Sequence, residues 1–165
     1  MRRYVVGVMG PGGICDQDVL ETARVLGRLI AEQGWVLLSG GRDSGIMKTV
    51  NEGAKQVPGS LTVGILPSVR SGPSPDVDVV IVTDLGNARN NINVLSSDVV
   101  VAIGQGGAGT ASEIALALKA GKKVILLGAP PLAKSYFQDL GKNQILLAES
   151  PAEAIALIRE TRTEE

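Results

Sequence analysis

Three times in this chain an aliphatic run ends in glycine and opens into a helix-like stretch. That alternation limits what the chain can fold into more than any other feature. Val5-Val6-Gly7-Val8-Met9 runs into Gly10-Pro11-Gly12-Gly13, the run 35–39 into the loop 40–45, and the run 99–103 into Gly104-Gln105-Gly106-Gly107-Ala108-Gly109. Apolar runs without hydrophobic–polar alternation describe strands covered on both faces, as in a parallel sheet. Between them, residues such as Val19, Leu20, Ala23, Leu26 and Ile30 recur at helical spacing and supply the crossovers. The reading is α/β and doubly wound: a mostly parallel sheet of six or seven strands with helices on both faces.

Strands are predicted over 4–9, 35–39, 61–66, 77–82, 99–103 and 124–127, with 145–148 as a seventh. Helices are predicted over 16–33, 46–57, 88–97 and 111–120, with Gly34 in the C′ position of the first. A last helix opens at Ser150-Pro151-Ala152-Glu153, a capping box with proline at the first helical position. A Pro/Ser/Gly-rich loop, 67–75, separates the third and fourth strands. The length suits one domain, 1–165, and the polar stretch 161–165 is expected to fray.

Composition removes several function classes. A net charge of −1 leaves no electrostatic footprint for nucleic acid or an anionic membrane, and 2% aromatic residues provide few platforms for base stacking. The opening MRRYVVGVMG is broken by Gly7 and Gly10 and reads as a first strand rather than a signal peptide. No window approaches the roughly 20 apolar residues of a membrane span. The chain has one cysteine, Cys15, which fits small core filler in a reducing, cytoplasmic setting. It has no histidine, which excludes a Ser-His-Asp triad and a histidine zinc site. Asp76, Asp78 and Asp84 read as solvated loop acids, so no metal site is expected.

The glycine loops carry the chemistry. All three follow strands and so share one edge of the sheet, where ligands of such folds bind. Gly104 to Gly109 satisfies G-x-G-x-x-G between a strand and a helix, and backbone N–H groups at a helix N-terminus attract phosphate. The acid that should hold a ribose about 20 residues on is missing, since the next strand ends in Leu127-Gly128-Ala129. Gly40 and Gly45 have Walker-A spacing, but Ile46-Met47 stands where Lys-Ser/Thr is needed. These loops therefore either hold a single phosphate or mononucleotide-like group, or are only turns. Candidate binding residues are Gly10, Gly12, Gly13, Ser39, Gly40, Gly41, Gly45, Met47, Arg89, Asn90, Gly106, Gly107, Ala108, Gly109, Thr110 and Glu113. Thr110-Ala111-Ser112-Glu113 is itself a T-x-x-E capping box, so Glu113 either caps Thr110 or stands as a carboxylate beside a bound phosphate-sugar. Arg89 is either a surface arginine or an anion clamp. The run Ile114-Ala115-Leu116-Ala117-Leu118 is apolar nearly all round and predicts a subunit contact.

Gly40-Gly41-Arg42-Asp43-Ser44-Gly45-Ile46-Met47, Arg89 ahead of a helix, and Gly106-Gly107-Ala108-Gly109-Thr110-Ala111-Ser112-Glu113, in that order, resemble the LOG superfamily. The resemblance runs from the first strand to about Ala148. It implies a Rossmann-like fold and a homo-oligomer, a homodimer or homotetramer. LOG enzymes are nucleoside 5′-monophosphate phosphoribohydrolases, marked by P-G-G-x-G-T-x-x-E and an Arg-Lys pair. On that pattern Arg89 and Glu113 would be catalytic. This chain has Gln105 for the motif proline, Asn90 for the lysine, and Asn87 where the enzymes often have histidine. Its shortness, Gly86-Asn87-Ala88-Arg89-Asn90 and Ile103-Gly104-Gln105-Gly106-Gly107 look closer to the branch of molybdenum cofactor carrier proteins. Those bind the pterin cofactor through its phosphate and its molybdenum-dithiolene end and do no chemistry on it. That branch implies molybdenum cofactor (molybdopterin) as cargo, apo-molybdoenzymes as recipients and no metal held by protein ligands. The phosphoribohydrolase is the alternative, and an oligomeric scaffold with an incidental anion site is a third reading.

Overall fold

The computed structural model describes residues 2–104 and 106–163. Gln105, the departure from the motif proline, lies outside the described residues, as do Glu164 and Glu165 of the expected tail. The strands are β1 (Val5–Met9), β2 (Val36–Ser39), β3 (Leu61–Leu66), β4 (Val79–Val82), β5 (Val99–Ile103), β6 (Val124–Leu127) and β7 (Ile145–Ala148). The helices are α1 (Gln17–Glu32), α2 (Gly45–Lys55), α3 (Arg89–Leu95), α4 (Ala108–Lys119), α5 (Pro131–Gly141) and α6 (Pro151–Thr163). The strands form one sheet in the order β4-β3-β2-β1-β5-β6-β7, and every pairing is parallel. The Rossmann-like architecture expected from the alternation and the resemblance is the one found.

Alternate residues of the central strands face opposite layers. Val99, Val101 and Ile103 of β5 pack with α1, α2 and α6, through Leu26, Ile46 and Ile158 among others. Val100 and Ala102 pack with α3, α4 and α5, through Val94, Ile114 and Phe137. This double burial is why the strand sequences show no polar face. In the first layer α1 and α2 approach until backbone meets backbone. A Cβ on Gly27 would stand 2.0 Å from the Val50 carbonyl oxygen, and one on Gly53 would stand 1.9 Å from that of Arg24. An Arg24–Glu52 ion pair of 2.7 Å flanks the contact.

The loop before β4 is pinned rather than free. Asp78 accepts hydrogen bonds from Lys55 Nζ (2.7 Å), the Thr62 backbone N–H (2.8 Å) and the Thr62 hydroxyl (3.0 Å). Burial works against its charge, but Lys55 and Thr62 outweigh burial and hold its pKa below the ordinary aspartate value.

Several boundaries differ from expectation. α1 ends as predicted, with Gly34 at φ +71°. α5 is absent from the sequence reading, which assigns no element to 128–144. Pro131 gives it a start signal, but its apolar residues do not form one buried stripe: Leu132, Tyr136 and Leu140 are exposed while Phe137 is buried. α6 continues through Thr161, Arg162 and Thr163, the first three residues of the tail expected to fray. The Thr161 hydroxyl donates to Ile158 O (2.9 Å), and the Arg162 guanidinium lies 5.5 Å from the Tyr4 ring centre. At the other end Ser150 caps Glu153 N–H (3.3 Å), while the Glu153 carboxylate reaches back to Glu149 N–H (2.8 Å). The largest shift concerns α4. It begins at Ala108 with Gly107 as its N-cap, three residues before the predicted start.

Candidate functional site

β1 and β5 are neighbours, but the chain leaves β1 toward β2 on one side and β5 toward β6 on the other. Their loops diverge and leave a crevice at the carboxyl edge, the usual ligand position in open α/β sheets. A cavity of about 350 Å³ opens there. Of the predicted residues, Gly10, Gly12, Gly13, Gly40, Met47, Arg89, Asn90, Gly107, Gly109, Thr110 and Glu113 line it. Ser39, Gly41, Gly45, Gly106 and Ala108 do not. Ser39 is fully buried, its hydroxyl oxygen accepting from Gly41 N–H and from Asn51 Nδ2, both at 3.2 Å, so it braces the β2–α2 turn. Val8, Met9, Pro11, Arg42 and Asn87 line the cavity without having been singled out as binding residues. The one usable signal for Arg42 was a cation inside a glycine turn at the correct sheet edge.

Arg89 is 6% exposed, so it is not a surface arginine. Its Nη1 donates to Gly40 O (2.8 Å) and Ile65 O (2.6 Å), tying the carboxyl ends of β2 and β3 together. Burial pulls its pKa down from the ordinary arginine range, the charge of Glu113 pushes it back up, and that of Arg42 lowers it. A guanidinium remains cationic under all of these influences. Gly40 lacks a side chain because Arg89 needs the room: a Cβ there would sit 2.3 Å from Arg89 Nη1.

Glu113 lies in the second turn of α4, 7% exposed, and Oε1 accepts a 2.9 Å hydrogen bond from Asn93 Nδ2. The predicted capping box is therefore wrong. Thr110 sits inside the helix, and Glu113 points to α3 rather than back to Thr110 N–H. The reason is that Gly107 opens the helix early with no side-chain cap. Arg89 and Asn93, four residues apart, share one face of α3, which brings both to Glu113. Burial raises the Glu113 pKa above the ordinary glutamate value; the Asn93 bond and then the charges of Arg89 and Arg42 oppose that rise. Asn93 Oδ1 is buried with no partner among the described residues. Asn90, at the position of the LOG lysine, donates to Ser112 Oγ (2.9 Å), and Ser112 in turn donates to Gly109 O (2.7 Å). The amide thus fastens α3 to the first turn of α4.

A raised glutamate pKa has a definite sign in stability. The folded state holds the proton more tightly than the unfolded chain, whose value is near 4.3. The stabilisation is full below that value and is lost as pH rises through the folded pKa. The melting temperature of the wild type relative to Glu113→Gln is therefore expected to fall from about pH 4 upward until Glu113 is ionised. A difference that stays flat across the titration would contradict the burial argument.

In chemical terms the site has an apolar floor of Val8, Met9 and Met47, walls of glycine backbone, two arginines and one buried carboxyl group. The first helical N–H bond of α4 is that of Ala111 to Gly107 O (2.9 Å), so among the described residues the N–H groups before it are the unspent donors of a helix N-terminus. Among the described residues no three His, Cys, Asp or Glu side chains gather to hold a metal. Cys15 donates to Gly13 O (3.4 Å) at the edge of the first loop and does not line the cavity. No helix among the described residues is long and apolar enough to cross a membrane.

Known proteins share this fold. The molybdenum cofactor binding protein of the phototrophic bacterium Rippkaea orientalis is 52% identical, with a TM-score of 0.91 over 98% of each chain. The Moco carrier protein of Chlamydomonas reinhardtii is 45% identical, with a TM-score of 0.93 over 99% of this chain and 100% of that one. A cytokinin riboside 5′-monophosphate phosphoribohydrolase of Mycobacterium tuberculosis is 35% identical over 100 residues, which is 59% of this chain and only 52% of that protein. The family model of SLOG cluster4 matches residues 3–155. With the Rossmann-like sheet, the glycine loops at its switch point and this match, the chain belongs to the SLOG cluster4 family.

Proposed function

We propose that the protein binds, protects and carries a phosphate-bearing pterin, the molybdenum cofactor, and does not hydrolyse nucleotides. One observation carries this reading: the two positions of the hydrolase Arg-Lys pair do not present two free cations to the cavity. Arg89 is bonded to two backbone carbonyls, and Asn90 brings no charge and is bonded to Ser112. The two near-full-length neighbours named for this cofactor support it, whereas the phosphoribohydrolase aligns over about half its own length. The phosphate would take the free N–H groups at the α4 N-terminus, the pterin would lie on the apolar floor, and Glu113 would face its polar edge. The cofactor supplies redox chemistry only after delivery to an apo-molybdoenzyme, so the carrier's task is to exclude water and oxidant and then to release. A reducing, cytoplasmic setting fits that task and the lone thiol.

The same proposal includes self-association as a homodimer or homotetramer. Ala111 and Ala115 of α4 are exposed although Ile114, Ala117 and Leu118 are buried, and Leu95, Leu132, Tyr136 and Leu140 are exposed on the same layer of helices. The phosphoribohydrolase stays as the second reading because Glu113 is a buried carboxyl group in the field of two arginines.

The deciding experiment incubates the protein in air with isolated molybdenum cofactor and, separately, with AMP. The cofactor is expected to keep its ability to activate an apo-molybdoenzyme long after free cofactor has lost it, with no adenine released. Adenine release at about 1 s⁻¹ or faster, in the ordinary range for enzymes, with no protection of the cofactor, would reverse the assignment. Light scattering on the same preparation is expected to give a multiple of the 17.1 kDa chain mass. A monomer at every concentration would remove the assembly from the proposal.

A further inference from the structure

We infer that Arg42 forms a second anion subsite in the cavity, so that the ligand held there carries negative charge on two separate groups. The inference rests on the carrier reading above and sharpens it. Arg42 lines the cavity, yet among the described residues its guanidinium makes no hydrogen bond or ion pair. The acid beside it in sequence, Asp43, is paired instead with Lys48 (3.2 Å). The other arginine of the cavity, Arg89, is already bonded to Gly40 O and Ile65 O. Among the described residues Arg42 thus has every guanidinium donor unspent, whereas Arg89 has committed its Nη1.

Its backbone placement is fixed, while its side chain is exposed and makes no hydrogen bond among the described residues. The Arg42 backbone bridges Pro73, Asp43 N–H donates to Gly72 O (3.4 Å), and Ser74 N–H donates to Gly41 O (2.8 Å). These bonds tie the turn to the loop that follows β3. The side chain lies across Gly12: a Cβ there would be 3.3 Å from Arg42 Nη2 and 2.8 Å from Met47 Cε. The bare backbone of Gly12 thus keeps open the path by which the guanidinium enters the cavity.

The two anion-attracting features stand apart. Arg42 follows β2, the α4 N-terminus follows β5, and β1 runs between them. Two strand spacings separate their bases, about 10 Å. The cavity, at about 350 Å³, has room on the order of ten waters at about 30 Å³ each, far more than one phosphate needs. A nucleoside monophosphate brings one anionic group to this space. A pterin carrying both a phosphate and an oxo-metal dithiolene brings two, one for each feature.

The test compares Arg42→Gln and Arg42→Lys with wild type, measuring affinity for isolated molybdenum cofactor and for inorganic phosphate, the single-anion probe. Arg42 makes no side-chain hydrogen bond or ion pair among the described residues, so both variants are expected to melt as wild type does. Arg42→Gln is expected to weaken cofactor binding about tenfold or more, the loss of a charge-assisted contact. Its phosphate affinity should change by less than about twofold, and Arg42→Lys should recover part of the cofactor loss. Equal weakening for phosphate and cofactor would mean that Arg42 serves the one phosphate, and no weakening for either would make it a solvated surface charge; each overturns the second subsite. A wild type that binds no phosphate lacks the first subsite, which overturns the two-site form. A wild type that fails to bind the cofactor sinks the carrier reading and this inference together. Cofactor binding that survives in Arg42→Gln sinks the inference alone.

Discussion

Gly53→Ala is expected to lower the melting temperature by about 5–10 °C, although alanine is the better helix former. The added methyl would stand 1.9 Å from the Arg24 carbonyl oxygen and 2.7 Å from its carbon, and neither can swing aside as a side-chain tip could. α1 and α2 would have to part, loosening Leu26, Ile46, Val50 and Ala54 in the layer they share. Overpacking of a tight contact costs about 1–3 kcal/mol, occasionally more, and here no rotamer offers relief, so the cost is expected at about 3–4 kcal/mol. Helix propensity returns about 1 kcal/mol. A net loss of about 2–3 kcal/mol corresponds to the stated shift at about 2–4 °C per kcal/mol for a chain of this size. Gly109→Ala is the control: it is also helical, but its added Cβ meets nothing within 4 Å, so thermal stability should hold or rise. Equal melting temperatures for Gly53→Ala and wild type would refute the contact.

Arg89→Leu is expected to cost more, about 3–5 kcal/mol, the range for removing one member of a buried charged network. The change takes a strong donor from Gly40 O and Ile65 O in the interior and withdraws positive charge from Glu113. Glu113 should then titrate higher still, since one of the influences opposing its burial is gone. Arg89→Lys is expected to recover only part of the loss, because an ammonium is not a planar fork. Urea midpoints for the three proteins provide the check, and a leucine variant within 1 kcal/mol of wild type would show that the guanidinium is not a structural tie.

What the sequence disclosed follows from how its signals arise. Burial on two faces writes a continuous apolar run, so β1, β2, β3, β5 and β6 were legible; the edge strands β4 and β7 were legible from the same kind of run, although β4 is exposed and β7 only partly buried. α5 was not, because its apolar residues point both inward and outward. The helix capped by Ser150 could be read from its start, since a side chain does the capping. The start of α4 could not, because Gly107 caps with no side chain, and the T-x-x-E pattern three residues on was a decoy. The gathering of Gly12, Gly40, Gly107 and Glu113 was foreseeable from strand order, as all follow strands at one edge. The roles of Arg89 and Arg42 were not. Which arginine is spent on carbonyls and which stays free is decided by tertiary neighbours: Gly40 O and Ile65 O take Arg89 Nη1, while no carboxylate among the described residues forms an ion pair with Arg42.

The β1–β5 seam has a consequence for how the protein is made. Each strand pair on either side is joined by one crossover, but the seam pairs residues remote in sequence: Val5 N–H, for example, donates to the Asp98 carboxylate 93 positions away (2.8 Å). Closing so long a loop is entropically slow, and a chain rich in such pairings folds slowly. The two wings, β1–β4 and β5–β7, have shorter reaches to close and are expected to organise before they dock. The cavity exists only once they have docked, since its walls come from both. A nascent or half-folded chain therefore has nowhere to put a ligand, and any ligand that binds acts as a latch across the wings. By mass action such a latch shifts the equilibrium toward the docked form. Loading and completion of the fold are then one coupled event, and an empty protein is the one most exposed to opening along its middle.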